Sequence, residues 1–207
     1  MTTSAESIAQ MLKRDLDEGV WAPGDVLRQE LLAERYGASR IPIREALLQL
    51  HAAGLVVVEP NRGATVPPLA ADDIREIFGL RRLVETDLLA SAVENHTAAS
   101  LARVKAAQME LEGQDTRSGW LAGDRAFHER LYEPAGKPRT LRIAAMLRDQ
   151  VERYALRKLS PGSRRADWKK EHRALIEAVV ARDSSLAVRQ LEEHLERTCE
   201  AVVAQLS

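Results

Sequence analysis

Asp124, His128, His172 and His194 are residue types that hold divalent metals, and their spacing puts them where they could do so together. His128 belongs to a stripe of Leu121, Asp124, His128 and Leu131, spaced three, four and three. Trp168, His172, Leu175 and Val179 repeat an inward helical spacing, and His194 runs with Ala187, Leu191 and Thr198. Three imidazoles and one carboxylate therefore lie along the apolar faces of three helices. Asp124 and His128, four residues apart, share one helix face, as joint presentation to an ion requires. Burying Asp124 as an unpaired ion is costly, so it needs a partner of opposite charge. A metal bound by all four groups supplies one. The competing reading, a set of hydrogen-bonded core histidines, suits any one of them taken singly. The remaining histidines do not join this set: His96 precedes the helix cap Thr97, and His51 falls late in its helix in a structural or solvent-facing place.

A second chemistry is written in Gly37-Ala38-Ser39-Arg40-Ile41-Pro42-Ile43-Arg44-Glu45-Ala46-Leu47. Ser39 is a good N-cap and Pro42 is tolerated in a first helical turn. Arg40 and Arg44 are one turn apart, on a face away from Ile43 and Leu47. Arginine pairs bidentately with guanine or clamps phosphate, and the start of the second helix of a helix-turn-helix is where such residues enter a major groove. Charge alone offers no such hint. Net charge is −1 over the 207 residues, and the first 69 hold seven Lys/Arg against nine Asp/Glu. Arginine position must carry the case for DNA.

The elements that hold these residues divide the chain at Pro67-Pro68, which neither continues a helix nor donates to a sheet. Residues 1–69 read as three helices and a hairpin. Ile8, Met11, Leu12 and Leu16 stripe a helix ended by Gly19; Leu27 to Tyr36 is a second, stopped by Gly37; the third begins at Ser39 and runs to Gly54. Leu55 to Val58 and Ala64 to Val66 are strands around an Asn61-Arg62-Gly63 turn. This is a winged helix-turn-helix. Residues 70–207 read as six helices near Ala71–Asn95, Ala98–Gly113, Thr116–Glu133, Pro138–Lys158, Ala166–Arg182 and Ser184–Leu206, hence an all-α bundle. The fold is mainly α. Apolar content of 45% and charged content of 29% are ordinary for a globular protein. No apolar run nears the ~18 residues of a membrane span, residues 1–10 lack a signal-peptide core, and the single Cys199 fits a reducing, cytoplasmic setting.

The first domain resembles the GntR family of bacterial regulators through Trp21-Ala22-Pro23-Gly24-Asp25-Val26-Leu27, Leu32 to Arg40, Ile41 to Leu47 and Gly54-Leu55-Val56. The resemblance implies that Ser39, Arg40 and Arg44 contact operator DNA and that Arg62 reaches the adjacent minor groove or backbone. Many members carry an arginine where this chain has Glu30, and Arg28 then takes that contact. The second domain is similar to the FCD sensor domain of the FadR subfamily, VanR-like branch, through Asp124-x-x-Phe127-His128, Glu171-His172-x-x-Leu175-Ile176-x-Ala178, Arg182-Asp183 and His194. The family commonly has asparagine in place of Lys137.

That resemblance implies a divalent metal on the aspartate and three histidines, and a small carboxylate effector. An ion accepting five or six ligands keeps one or two positions for water or that carboxylate, and zinc, nickel or manganese suits mixed N/O donors. Arg81 interrupts a stripe of Ile74, Phe78, Val84 and Leu88, so its guanidinium faces the same cavity or forms a surface pair with Glu85. The expected protein is a homodimeric, metal-anchored transcriptional repressor on a palindromic operator, with the effector biasing the placement of its two DNA-binding domains. Two alternatives remain on the same residues. One is a structural metal without effector; the other is a metallohydrolase, which needs a general base where no second inward carboxylate is evident.

Overall fold

The computed structural model describes residues 4–59, 63–155 and 165–204. They form two compact units, residues 1–69 and 70–207. In the first, α1 (Ala5–Asp17) starts where the Ser4 hydroxyl accepts from the Ser7 amide, and α2 (Gln29–Tyr36) stops at Gly37 in left-handed conformation. α3 spans Arg40–Ala52. Ile8, Leu12 and Leu16 of α1 meet Leu32, Ile43, Leu47 and Leu50 in one core, each at most 4% exposed. Burial of such side chains, at ~1.5–3 kcal/mol each, is what fixes α3 against its supports.

The sheet has one strand more than the sequence suggests. Val26–Leu27 form β1, whose Leu27 the helical periodicity takes as the start of α2. β2 (Val57–Glu59) and β3 (Gly63–Thr65) follow, in the spatial order β1-β3-β2 with both pairings antiparallel. Leu27 sits opposite Ala64, and Val58 opposite it from the other side. Gly24, at φ 91°, turns the chain into β1, and two residues are too few to show a strand period. Leu55 leaves the predicted strand as well: its amide bonds to Leu50 O and closes α3. Gly63 is required where it stands. Its φ is 97°, and a Cβ would run into the Leu27 carbonyl oxygen of the neighbouring strand.

The second unit holds, among its described residues, six α-helices: α4 (Ala71–Val93), α5 (Ala98–Glu112), α6 (Arg117–Tyr132), α7 (Pro138–Ala155), α8 (Arg165–Val180) and α9 (Ser184–Val203). A short 3-10 turn, Glu133–Ala135, joins α6 to α7. The predicted continuation of α7 to Lys158 falls outside the described residues. Thr97, Thr116 and Asp183 cap α5, α6 and α9 through their side-chain oxygens. α4 packs along α7 and α9, α5 on α6 and α8, and α8 on α9. Gly123 permits the close approach of α6 to α5, since a Cβ there would press on Leu111 at 3.0 Å. Arg182, in left-handed conformation at φ 55°, donates to the carbonyls of Glu94 and His96 and so ties the α8–α9 turn to the α4–α5 turn.

Candidate metal centre and nucleic-acid interface

His128 on α6, His172 on α8 and His194 on α9 meet in the centre of the bundle, at 1%, 0% and 4% exposure. Their ring centroids are 5.1 to 5.5 Å apart, and one ring nitrogen of each lies within 4.8 Å of the others. Phe127 stacks on the His172 ring at 4.2 Å.

Each imidazole is held from behind at Nδ1. His128 Nδ1 lies 3.2 Å from the Tyr132 hydroxyl, whose own proton goes to Glu85 Oε2 at 2.8 Å. Tyr132 is therefore the acceptor, and Nδ1 carries the hydrogen. His172 Nδ1 lies 3.0 Å from Gln108 Oε1, and the Gln108 amide nitrogen is committed to Glu112 at 2.9 Å, which fixes the amide's orientation. His194 Nδ1 donates to Glu171 Oε2 at 2.7 Å. Three Nδ1–H tautomers leave three Nε2 lone pairs. Those of His128 and His172 are buried and have no hydrogen-bond partner among the described residues. Asp124 Oδ1 lies 3.4 Å from His172 Nε2 and 3.8 Å from His128 Nε2.

These donors fit a divalent ion. Neutral imidazole nitrogens with the opposite nitrogen hydrogen-bonded are the usual arrangement of metal-ligating histidines, and an unpaired buried acceptor is otherwise costly. Burial, followed by the nearby Arg148, keeps His128 far below the usual imidazole range; burial pushes His172 down to about 3 against the pull of Asp124. Both are neutral at physiological pH, as ligation demands.

The charge of Asp124 is met differently from expectation. Its Oδ2 accepts from Arg148 Nη1 at 3.0 Å, so an ion is not needed to neutralise it; the orphaned Nε2 atoms are the stronger argument for metal. Arg148, from α7, also reaches Glu85. Glu85 is completely buried, and Arg81 pairs with its other oxygen at 2.7 Å. Burial opposes ionisation of Glu85, but Arg148, Arg81 and Tyr132 outweigh it and hold the carboxyl at about 2. Arg81 thus forms the predicted pair with Glu85, in the interior and not on the surface, with its guanidinium 4.6 Å from the Phe78 ring. Arg148 occupies the nearby cavity wall. A cavity of about 250 Å³ opens against His128, Tyr132 and Arg148, with Arg125, Arg142 and Leu141 at its sides.

Two inward carboxylates, Glu85 and Glu171, correct the expectation that none would be found beside the motif. Neither is free to act as a base. Glu171 is bound to His194 and to Arg197 at 3.2 Å, and Glu85 to two arginines and a tyrosine. Arg148 and Gln108 were legible by the reasoning applied to Arg81, since each interrupts an apolar stripe: Ala144, Leu147 and Val151 on α7, Val104, Ala107 and Leu111 on α5. His96 has a structural role, buried between Ser100 Oγ at 3.0 Å and Leu131 O at 3.1 Å. His51 Nδ1 lies 3.1 Å from Val56 O. Lys137 pairs with Asp87 at 2.8 Å on the surface.

On the first unit, Arg28, Arg40 and Arg44 line one groove of about 880 Å³ with Glu30, Glu59 and Gly63. Ser39 is the N-cap residue of α3, but its hydroxyl makes no capping hydrogen bond. Arg62 lies outside the described residues.

Residues 4–66 match the family model "Bacterial regulatory proteins, gntR family", and residues 76–197 match the FCD domain. The chain belongs to the GntR family. The HTH-type transcriptional regulator BphR of Paraburkholderia xenovorans is 33% identical over 95% of this chain and 84% of its own length. The HTH-type transcriptional repressor GlaR of Escherichia coli is 28% identical over 94% of both chains. The solved structure of E. coli McbR/YncC superposes with a TM-score of 0.86 at 26% identity, covering all of both chains. This GntR-family chain is accordingly a DNA-binding transcriptional regulator and not an enzyme, with an N-terminal winged helix and a C-terminal helical FCD domain. Among the described residues, no helix is long and apolar enough to cross a membrane.

Proposed function

We propose that this regulator is a homodimeric repressor whose hold on a palindromic operator is set by a small carboxylate bound beside a divalent ion in the FCD domain. The observation that carries the reading is the convergence of three histidines whose Nδ1 atoms are occupied and whose Nε2 atoms have one place to go. Asp124, His128, His172 and His194 hold the ion, which supplies Lewis acidity toward an anion. The chain's own residues do the rest. Tyr132, Gln108 and Glu171 set the ligand tautomers. Arg148 fixes Asp124 Oδ2, leaving Oδ1 toward the imidazoles. Arg148 and Arg142 on the cavity wall suit a carboxylate, Leu141 and Ala144 suit a short apolar body, and Arg81 holds Glu85 in place. Ser39, Arg40 and Arg44 meet the operator, with Arg28 and Arg62 at its flanks. The word repressor in the name of GlaR supports the sign of regulation.

Metal analysis of the purified protein, with calorimetric titration of small carboxylates before and after chelation, tests this directly. One equivalent of zinc, nickel or manganese per chain, and carboxylate heats that vanish on chelation, are expected. Protein without metal that also takes up none from solution refutes the reading. Metal with no carboxylate response leaves a structural ion in its place.

A further inference from the structure

The DNA-facing groove of the winged helix is chemically mixed. Beside three arginines it carries two carboxylates. Glu59 is tied to its own sheet, accepting from Thr65 Oγ1 at 2.9 Å. Glu30 is different. It projects from the first turn of α2 across to the first residue of α3, where its Oε1 lies 3.2 Å from Arg40 Nη2. Both side chains are open to solvent, at 62% and 69% exposure. A pair so exposed is worth ~0–1 kcal/mol, so it does not hold α2 to α3. The helix dipole favours an acid in that turn, but only weakly, and does not require it to face Arg40. In a groove meant for a polyanion, a bare carboxylate weakens every phosphate contact nearby. It therefore needs a return in selectivity.

We propose that Glu30 is a specificity-determining residue: it braces Arg40 so that the guanidinium presents its open edge to a guanine and not to a phosphate. The inference rests on the reading that Arg40 enters the major groove. The contact to Glu30 uses one hydrogen of Nη2. Whichever it uses, one two-donor edge of the fork stays intact, and such an edge matches guanine O6 and N7. An unbraced arginine keeps its rotamer freedom and can swing to the backbone, where contacts carry no sequence information. The carboxylate adds a penalty for that alternative through its repulsion of phosphate.

The test is selection from a random duplex library by the full chain and by E30A, E30Q and R40A, with affinity for an unrelated duplex measured alongside. Glu30 is exposed, so the variants fold, and far-UV circular dichroism verifies it. The wild type is expected to select one strongly preferred G·C pair per half-site that R40A loses. E30A keeps the rest of the motif but loses roughly 5- to 10-fold of the preference at that pair, part of the discrimination a bidentate contact gives. It also binds unrelated duplex more tightly. E30Q retains an acceptor oxygen, so it keeps more of the preference while sharing the tighter unrelated binding. An E30A motif as sharp as that of the wild type overturns the brace. Loss in E30A of a pair that R40A still selects also overturns it, since Glu30 would then be reading cytosine itself. If R40A selects the full motif, the reading of Arg40 fails, and with it the premise rather than the brace alone.

Discussion

Replacing Glu85 by glutamine strikes the one carboxylate that serves two buried arginines and a tyrosine at once. The amide keeps the shape and removes the charge. The carboxyl titrates at about 2 against an ordinary 4.5, and that depression corresponds to about 3 kcal/mol of folding stability at neutral pH. The general cost of removing one partner of a buried ion pair, ~3–5 kcal/mol, agrees with it. Because the folded pKa lies below the unfolded one, the contribution is complete above about pH 4.5 and is lost as pH falls toward about 2. The gap between parent and E85Q therefore narrows to about 2 kcal/mol at pH 3.5. The assay is urea unfolding in chelator, followed by the fluorescence of Trp120 and Trp168, whose rings stack at 5.9 Å inside the FCD domain. Both proteins carry W21F so that the winged helix is silent. An E85Q protein within about 1 kcal/mol of its parent at pH 7, or a gap that widens in acid, refutes the reasoning.

Four further outcomes follow from the same structure. Two ordinary imidazole ligands would lose about tenfold in metal affinity between pH 7.5 and 6; because His128 and His172 are already held neutral, competition with a chromophoric chelator should show much less from those two residues. Y132F leaves the buried His128 Nδ1–H without an acceptor, and should cost ~1–3 kcal/mol in thermal unfolding of the metal-free protein and ~10–100-fold in metal affinity. G63A should weaken the winged helix by about 2 kcal/mol or more, seen as faster hydrogen exchange in β1 and β3 with the FCD domain unchanged. R40A or R44A should weaken the operator footprint roughly 10- to 100-fold while circular dichroism and metal uptake stay as in the wild type, and a footprint at full strength in both variants removes these residues from the DNA contact.

Helical periodicity and caps are local properties, and they were legible from residue order alone. The cap Thr97 follows from a hydroxyl placed before unpaired first-turn amides. The stripe through Ile8, Leu12 and Leu16 and the inward direction of His128, His172 and His194 follow from a turn of 3.6 residues. So does the face shared by Arg40 and Arg44. β1 was hidden because two residues carry no period; only pairing with Thr65 and Ala64, nearly forty positions later, makes Val26–Leu27 a strand. The inward face of Arg148 was legible, but its pairing with Asp124 was not, because the two lie on different helices. Arg148 lies 24 residues from Asp124 and 63 from Glu85, and the packing of α4, α6 and α7 decides that they meet. Residue order placed the histidines on inward faces, because a helix has a period. Tertiary packing chose the partner at Nδ1, because Gln108 of α5 and Glu171 of α8 reach His172 and His194 from other helices, and Glu85 of α4 takes the proton of Tyr132, the neighbour of His128 one turn along α6, and makes it an acceptor.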